Sequence, residues 1–209
     1  MRTIARSPSP ACLTGQPPTQ DWFAFMRTAC HGQIRVSLSQ EQLGLCCYCE
    51  MELKDGEGHI EHMEPRGVNP GRCYDYTNLA ISCDGGSVEH CGRYKEDRHQ
   101  NREYRWDSTL FSPPHDPNTS ALFRYTTDGS VVPAPGADPA RAAYGLGYLG
   151  LNCARLVERR RQHAHRLVDT LGEQPKPDIL DWLRNDHLAA GEDGRLKPFH
   201  SLSKAILQP

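Results

Sequence analysis

At 209 residues, 37% hydrophobic and 24% charged, with a mean hydropathy of −0.66, the chain has room for one domain with appendages and a modest core. No run of about 18 apolar residues exists, and the amino-terminal MRTIARSPSPACLTGQPP lacks the apolar stretch of a signal peptide, so a membrane protein is excluded and a cytoplasmic location is expected. A formal charge of −2 gives no global attraction to nucleic acid, although RLVERRRQHAHR at 155–166 is a local basic stripe, suited to phosphates, to an acidic partner or simply to solvent.

In chain order, DWFAFMRTAC at 21–30 predicts a helix with Asp21 as N-cap, and Ser39 with Gln42 forms a capping-box pattern for a second short helix. A Cys/His-rich region follows from 46 to about 100, and its tail, CGRYKEDRHQNREY, is dense in helix formers. Between 111 and 140 the chain is rich in Pro and Gly, and ALFRYTTDGSVVPA reads as a hairpin turning at Asp128-Gly129. Asp138-Pro139 marks a helix start. Asn152 is placed to cap a longer helix whose apolar face is Leu156, Val157, Ala164, Leu167, Val168 and Leu171, with short helices near 178–189 and 201–207. The expected fold class is α+β, divided into an amino-terminal helical segment (1–45), a metal-bound core (46–105) and a hairpin with carboxy-terminal helices (106–209).

Nine cysteines without a secretory signal point to metal rather than to a disulfide framework. Cys46-x-x-Cys49 turns two thiolates toward one ion, and Cys83 and Cys91 are the natural second pair for a tetrahedral zinc site. His90 is the rival fourth ligand, and Cys47 points away. Cys12, Cys30, Cys73 and Cys153 read as free or buried thiols. Between the pairs lies GHIEHMEPRG. In an extended strand His59 and Glu61 face one way and His62 the other. A carboxylate can hold a divalent ion against a phosphodiester while a neutral imidazole takes a proton from water, and Asn78 is placed to orient that imidazole.

C-x-x-C, E-H-M-x-P, N-L-x-x-x-C and C-G-x-x-K together resemble the HNH nucleases, with Glu61 where that family's strand motif has aspartate. C-x-Y-C-E (from Cys46) and H-I-E-H-x-x-P (from His59) resemble more narrowly the PtuB-like nucleases of Septu-type and retron-associated anti-phage systems. The resemblance implies a zinc-bound, treble-clef-like ββα-metal core flanked by helices, cleaving DNA with Mg²⁺ or a similar ion, and a Septu-type ATPase as partner. It implies His62 as general base, Glu61 as ligand of the catalytic ion, Asn78 as the orienting residue, and zinc held by Cys46, Cys49, Cys83 and Cys91. The family's last ligand, a His or Asn after the final cysteine, is missing here, where Arg93 stays protonated and only donates. Three readings stay open: His90 or Asp97 supplies the ligand from a shifted register, His59 acts instead, or the ion is held weakly. Arg93 and Lys95 are the candidate phosphate contacts. The alternative to a nuclease is a weak or inactive zinc module that binds nucleic acid or a protein.

Overall fold

The computed structural model describes residues 1–15 and 21–208. Helix α1 (Trp22–Phe25) starts where Asp21 accepts from the Phe23 amide. It is shorter than expected because Thr28 interrupts it and caps a new helix, α2 (Ala29–Glu41), through the His31 amide. The expected start at Ser39 is therefore not a start, since Ser39 lies in the last turn of α2. Gln42, free of capping duty, is buried and clamps the next layer: its amide nitrogen donates to the carbonyls of Leu45 and Ile81 at 2.7 and 2.8 Å, and its oxygen accepts from the Ile81 amide.

Ile81 belongs to β2 (Leu79–Ser82), paired antiparallel with β1 (His59–His62) in a register that sets His59 against Ser82 and Glu61 against Ala80. The chain then runs through α3 (Gly85–Val88) into α4 (Cys91–Glu96). The helix expected over the whole CGRYKEDRHQNREY segment stops at Glu96, because the Asp97 carboxylate accepts from the amides of His99 and Gln100 and closes a turn instead.

A second hairpin pairs β3 (Phe123–Tyr125) with β4 (Val131–Pro133), turning at Asp128-Gly129 as the sequence indicates. Gly129 has φ +90°, and a Cβ there would lie 2.1 Å from the Val157 carbonyl oxygen, so the turn can seat against the following helix only as glycine. Asp138 caps α5 (Pro139–Tyr148) through the amides of Ala140 and Arg141. In α6 (Ala154–Leu171), Leu156, Ala164 and Leu167 are buried, whereas Val168 is 44% exposed. Asn152 does not cap it. Its amide exchanges two hydrogen bonds with the backbone of Val131, tying α6 to β4, while Cys153 occupies the cap position. Arg160, read in the sequence as part of the basic stripe, is buried, leaving Arg155, Arg159 and Arg166 exposed.

Helices α7 (Pro177–Leu188) and α8 (His200–Leu207) pack on each other and on α6. The start of α8 is held from afar by Glu50, whose buried carboxylate accepts from the Ser201 amide and hydroxyl at 2.7 and 2.6 Å. One continuous core takes side chains from the amino-terminal segment, the Cys-rich region and the stretch through Leu156. Cys12 and Cys30 are joined by a disulfide, with Cα atoms 5.6 Å apart, which corrects their reading as thiols. The pairing arises because the 3₁₀ turn at Ala11–Leu13 lies against the first turn of α2, a proximity invisible in an 18-residue sequence separation.

Candidate active site

The Cys46–Cys49 turn is pinned by the Cys46 amide donating to the Met51 carbonyl and the Cys47 amide donating to Ile81 of β2. This brings the turn over the end of the β1–β2 hairpin, where Cys83 follows β2 and Cys91 opens α4. The four sulfur atoms of Cys46, Cys49, Cys83 and Cys91 lie within 4.8 Å of one another, all buried. A tetrahedral zinc–thiolate site has sulfur–sulfur edges of about 3.8 Å for a metal–sulfur bond of about 2.3 Å. The Cys49–Cys83 and Cys46–Cys91 separations are 3.7 and 3.9 Å, so the quartet fits a metal ion such as zinc. The surroundings suit thiolates. The Cys83 amide donates to Cys46 Sγ at 3.3 Å, and buried Arg160 offers a cation near Cys49 and Cys91. Burial raises the Cys46 thiol, but contacts from Cys47, Cys49, Cys83 and Cys91 outweigh it and hold that group well below its ordinary value. His90 stands beside the quartet, with Nδ1 3.1 Å from Cys91 Sγ, as a donor to a thiolate. Cys47 is buried outside the cluster.

Alternation along β1 puts His59 and Glu61 together, as expected. Glu61 is 2% exposed, and its two oxygens are used differently. Oε1 accepts from the Tyr48 hydroxyl at 3.1 Å and pairs with Lys95 Nζ at 2.9 Å. Oε2 faces His59 Nε2 at 3.3 Å. On its other side His59 Nδ1 lies 3.3 Å from the Asp84 carboxylate, so that an Nδ1–H donated to Asp84 would leave the Nε2 lone pair facing Glu61 for an ion. In that tautomer Glu61 Oε2 and His59 Nε2 are two donor atoms that a cation would share. Gly92 keeps that place clear: a Cβ there would lie 2.3 Å from Glu61 Oε2 and 2.9 Å from His59 Nε2, too close for carbon. Burial pushes the Glu61 carboxyl up, but its ion pair and hydrogen bond with the Lys95 ammonium oppose this, and the group is held below its ordinary range as the anion.

Lys95 is consequently not a surface phosphate contact. Its side chain is 0% exposed, and Nζ also donates to the His62 carbonyl at 3.0 Å, so it braces Glu61 and the strand end together. Exchanging it for methionine would leave Glu61 as an unpaired buried anion. A loss of about 3–5 kcal/mol is expected in denaturant unfolding of the metal-loaded protein. Wild-type stability in Lys95→Met would show that the pair carries no weight. Arg93 remains exposed, 3.7 Å from Asp84. Asp97 lies beyond α4 and is committed to its turn, so neither it nor His90 stands with Glu61.

His62 occupies the opposite face of β1. Its Nε2 donates to the Cys73 carbonyl at 2.9 Å, leaving Nδ1 with the lone pair, and its ring lies edge-on to Trp22 at 4.4 Å. Burial, with Arg66 and Lys95 adding repulsion, lowers its pKa to about 4, so the imidazole is neutral near pH 7. Asn78 does not touch the ring. Its oxygen accepts from the Glu64 amide at 2.8 Å and its nitrogen donates to the carbonyls of Glu64 and Arg72, so it closes the loop that carries the Cys73 carbonyl. Asp84, Tyr48 and the buried role of Lys95 escaped the sequence reading, though a Lys at a fixed step after the last cysteine was the signal available for one of them.

No protein-family model matches the chain. A Vibrio cholerae serotype O1 biovar El Tor protein described as "Retron Vc95 putative HNH endonuclease" is 30% identical over 166 residues, covering 75% of this chain and 76% of that protein. Likeness of that extent, together with a cysteine quartet beside a Glu-His strand, places the chain in the HNH endonuclease family.

Proposed function

We propose that the protein is a metal-dependent endonuclease that hydrolyses phosphodiester bonds in DNA, with β1, β2 and α4 as its ββα-metal unit and His62 as general base. The observation that carries this reading is the fixed tautomer of a neutral, buried imidazole: with Nε2–H given to Cys73, His62 Nδ1 accepts the proton of the attacking water. Glu61 Oε2 and His59 Nε2 would hold the catalytic ion, His59 taking the place of the ligand that α4 lacks at Gly92 and Arg93. A site with two protein donors suits Mg²⁺, which keeps several waters and binds phosphate oxygens. Such an ion, when bound, supplies charge for the pentacovalent phosphate and the leaving oxygen. Lys95 keeps Glu61 ionised and aimed, Asp84 orients His59, and Asn78 sets the Cys73 carbonyl. Arg93, exposed beside Asp84, is placed to meet a phosphate oxygen of the substrate. The quartet Cys46, Cys49, Cys83 and Cys91 would carry structural zinc.

The retron in the relative's name agrees with the motif resemblance to anti-phage nucleases, and the proposal extends to an effector of such a defence system, restrained or directed by a Septu-type ATPase. Plasmid DNA incubated with the purified protein in Mg²⁺, in Mn²⁺ and without either tests the chemistry. Nicking only with added ion is expected, and His59→Ala should raise the half-saturating Mg²⁺ concentration about tenfold, since ligand-shell losses cost 10–100-fold in affinity. Ion-independent cutting, or an unchanged Mg²⁺ requirement in His59→Ala, would refute the ligand assignment.

A further inference from the structure

Against Lys95 opens a cleft of about 650 Å³. Lys95 forms its inner wall, and Pro65 and Arg66, which follow His62 closely, form its rim. Three arginines line it: Arg66, Arg98 and Arg105. Among the described residues none of them has a carboxylate within ion-pairing distance, and the one acidic side chain in the cleft, Glu96, is paired with Lys95. Arg66 is positioned without losing its charge, stacking over the rings of Trp22 and Phe23 at 5.6 and 5.8 Å. Arg105 is oriented by donating to the carbonyls of Asn101 and Tyr104 at 3.1 and 2.9 Å. Two half-buried aromatic side chains, Tyr104 and Trp106, also line it, and Trp106 is anchored by Phe111 at 5.0 Å.

We infer that this cleft is a nucleotide subsite, taking an unpaired base of the strand being cut, with Trp106 or Tyr104 stacking on the base and Arg66, Arg98 and Arg105 on the flanking phosphates. The inference rests on the nuclease reading for its position beside the scissile phosphate. Guanidinium groups alone would serve any polyanion. Flat rings set into a concavity serve a planar base, and a base reaches them only out of the duplex stack. The substrate class that follows is single-stranded DNA, or duplex with an unpaired or extruded nucleotide.

The test is binding of a fluorescein-labelled single strand, and of the same sequence as duplex, to the zinc-loaded full chain without Mg²⁺ or Mn²⁺, so that cutting does not intervene. Trp106→Leu keeps apolar bulk but removes the ring, and Arg98→Glu with Arg105→Glu changes exposed positions only. The parent is expected to prefer the single strand. Trp106→Leu should lose about tenfold in single-strand affinity with little change for duplex, from the usual worth of one base stack, and the double arginine variant should weaken the single strand at least as much. Single-strand quenching of tryptophan fluorescence should vanish in Trp106→Leu. Equal losses for strand and duplex in Trp106→Leu, or none, overturn the subsite, and so does displacement of duplex and strand alike by an acidic peptide. Plasmid cutting by the parent is scored separately. Cutting with unaltered strand affinity in the variants removes the cleft and leaves the nuclease, whereas Trp106-dependent strand binding without any cutting, even with the ATPase present, supports the cleft and removes the nuclease.

Discussion

His62→Ala is expected to reduce plasmid cleavage by about 10²–10⁴-fold while leaving zinc content and DNA affinity unchanged. The size follows from the role: a general base contributes only in the transition state, so its removal lowers turnover and not binding. The geometry makes His62 suited to the role in two ways. The Cys73 carbonyl fixes the proton on Nε2, and burial under Trp22 keeps the ring neutral near pH 7. Asn78→Ala should share part of the loss, because the loop presenting Cys73 would be free to move. Metal content measured in the same samples separates chemistry from folding. Cutting by His62→Ala at the parental rate would remove the base assignment. A parent that binds zinc, binds DNA and cuts nothing even beside its ATPase would favour the zinc-module reading.

Cys49→Ser is expected to lose the structural ion and with it the folded core. Structural zinc contributes on the order of 10–16 kcal/mol in apparent terms, against about 5–15 kcal/mol for the net stability of a whole domain. The quartet here stands inside the main core, which also takes in Tyr48, Ile60 and Leu79, and joins the Cys46–Cys49 turn, the end of β2 and the start of α4. Losing it would release the elements that hold Glu61 and Lys95 together. Circular dichroism and metal analysis read both effects: no cooperative melt and less than one ion per chain. Cys47→Ser is the control, buried but outside the quartet, and should retain the ion with a modest loss from burying a hydroxyl. A Cys49→Ser protein with full zinc and a parental melt would show that the thiols are not the ligands.

What lay within a few residues of sequence was legible. The Cys-x-x-Cys spacing, the placing of His59 and Glu61 on one face of a strand with His62 on the other, the Asp128-Gly129 turn and the Asp138 cap all follow from local geometry that one or two turns of chain fix by themselves. What depended on distant segments meeting was not legible. Lys95 carries a surface residue's side chain, and only the docking of α4 beside β1 buries it against Glu61. Arg160 sits in a stretch that reads as a solvated basic stripe until α6 turns that position inward behind the cysteines. Cys12 meets Cys30, Asp84 meets His59, and Asn78 reaches the Glu64 carbonyl only after the chain is packed. The sequence by itself determined which residue types could do metal and proton chemistry and their alternation along β1. The tertiary structure alone decided which of them are ionised, braced or buried, because desolvation and ion pairing depend on neighbours that the fold brings from tens of residues away.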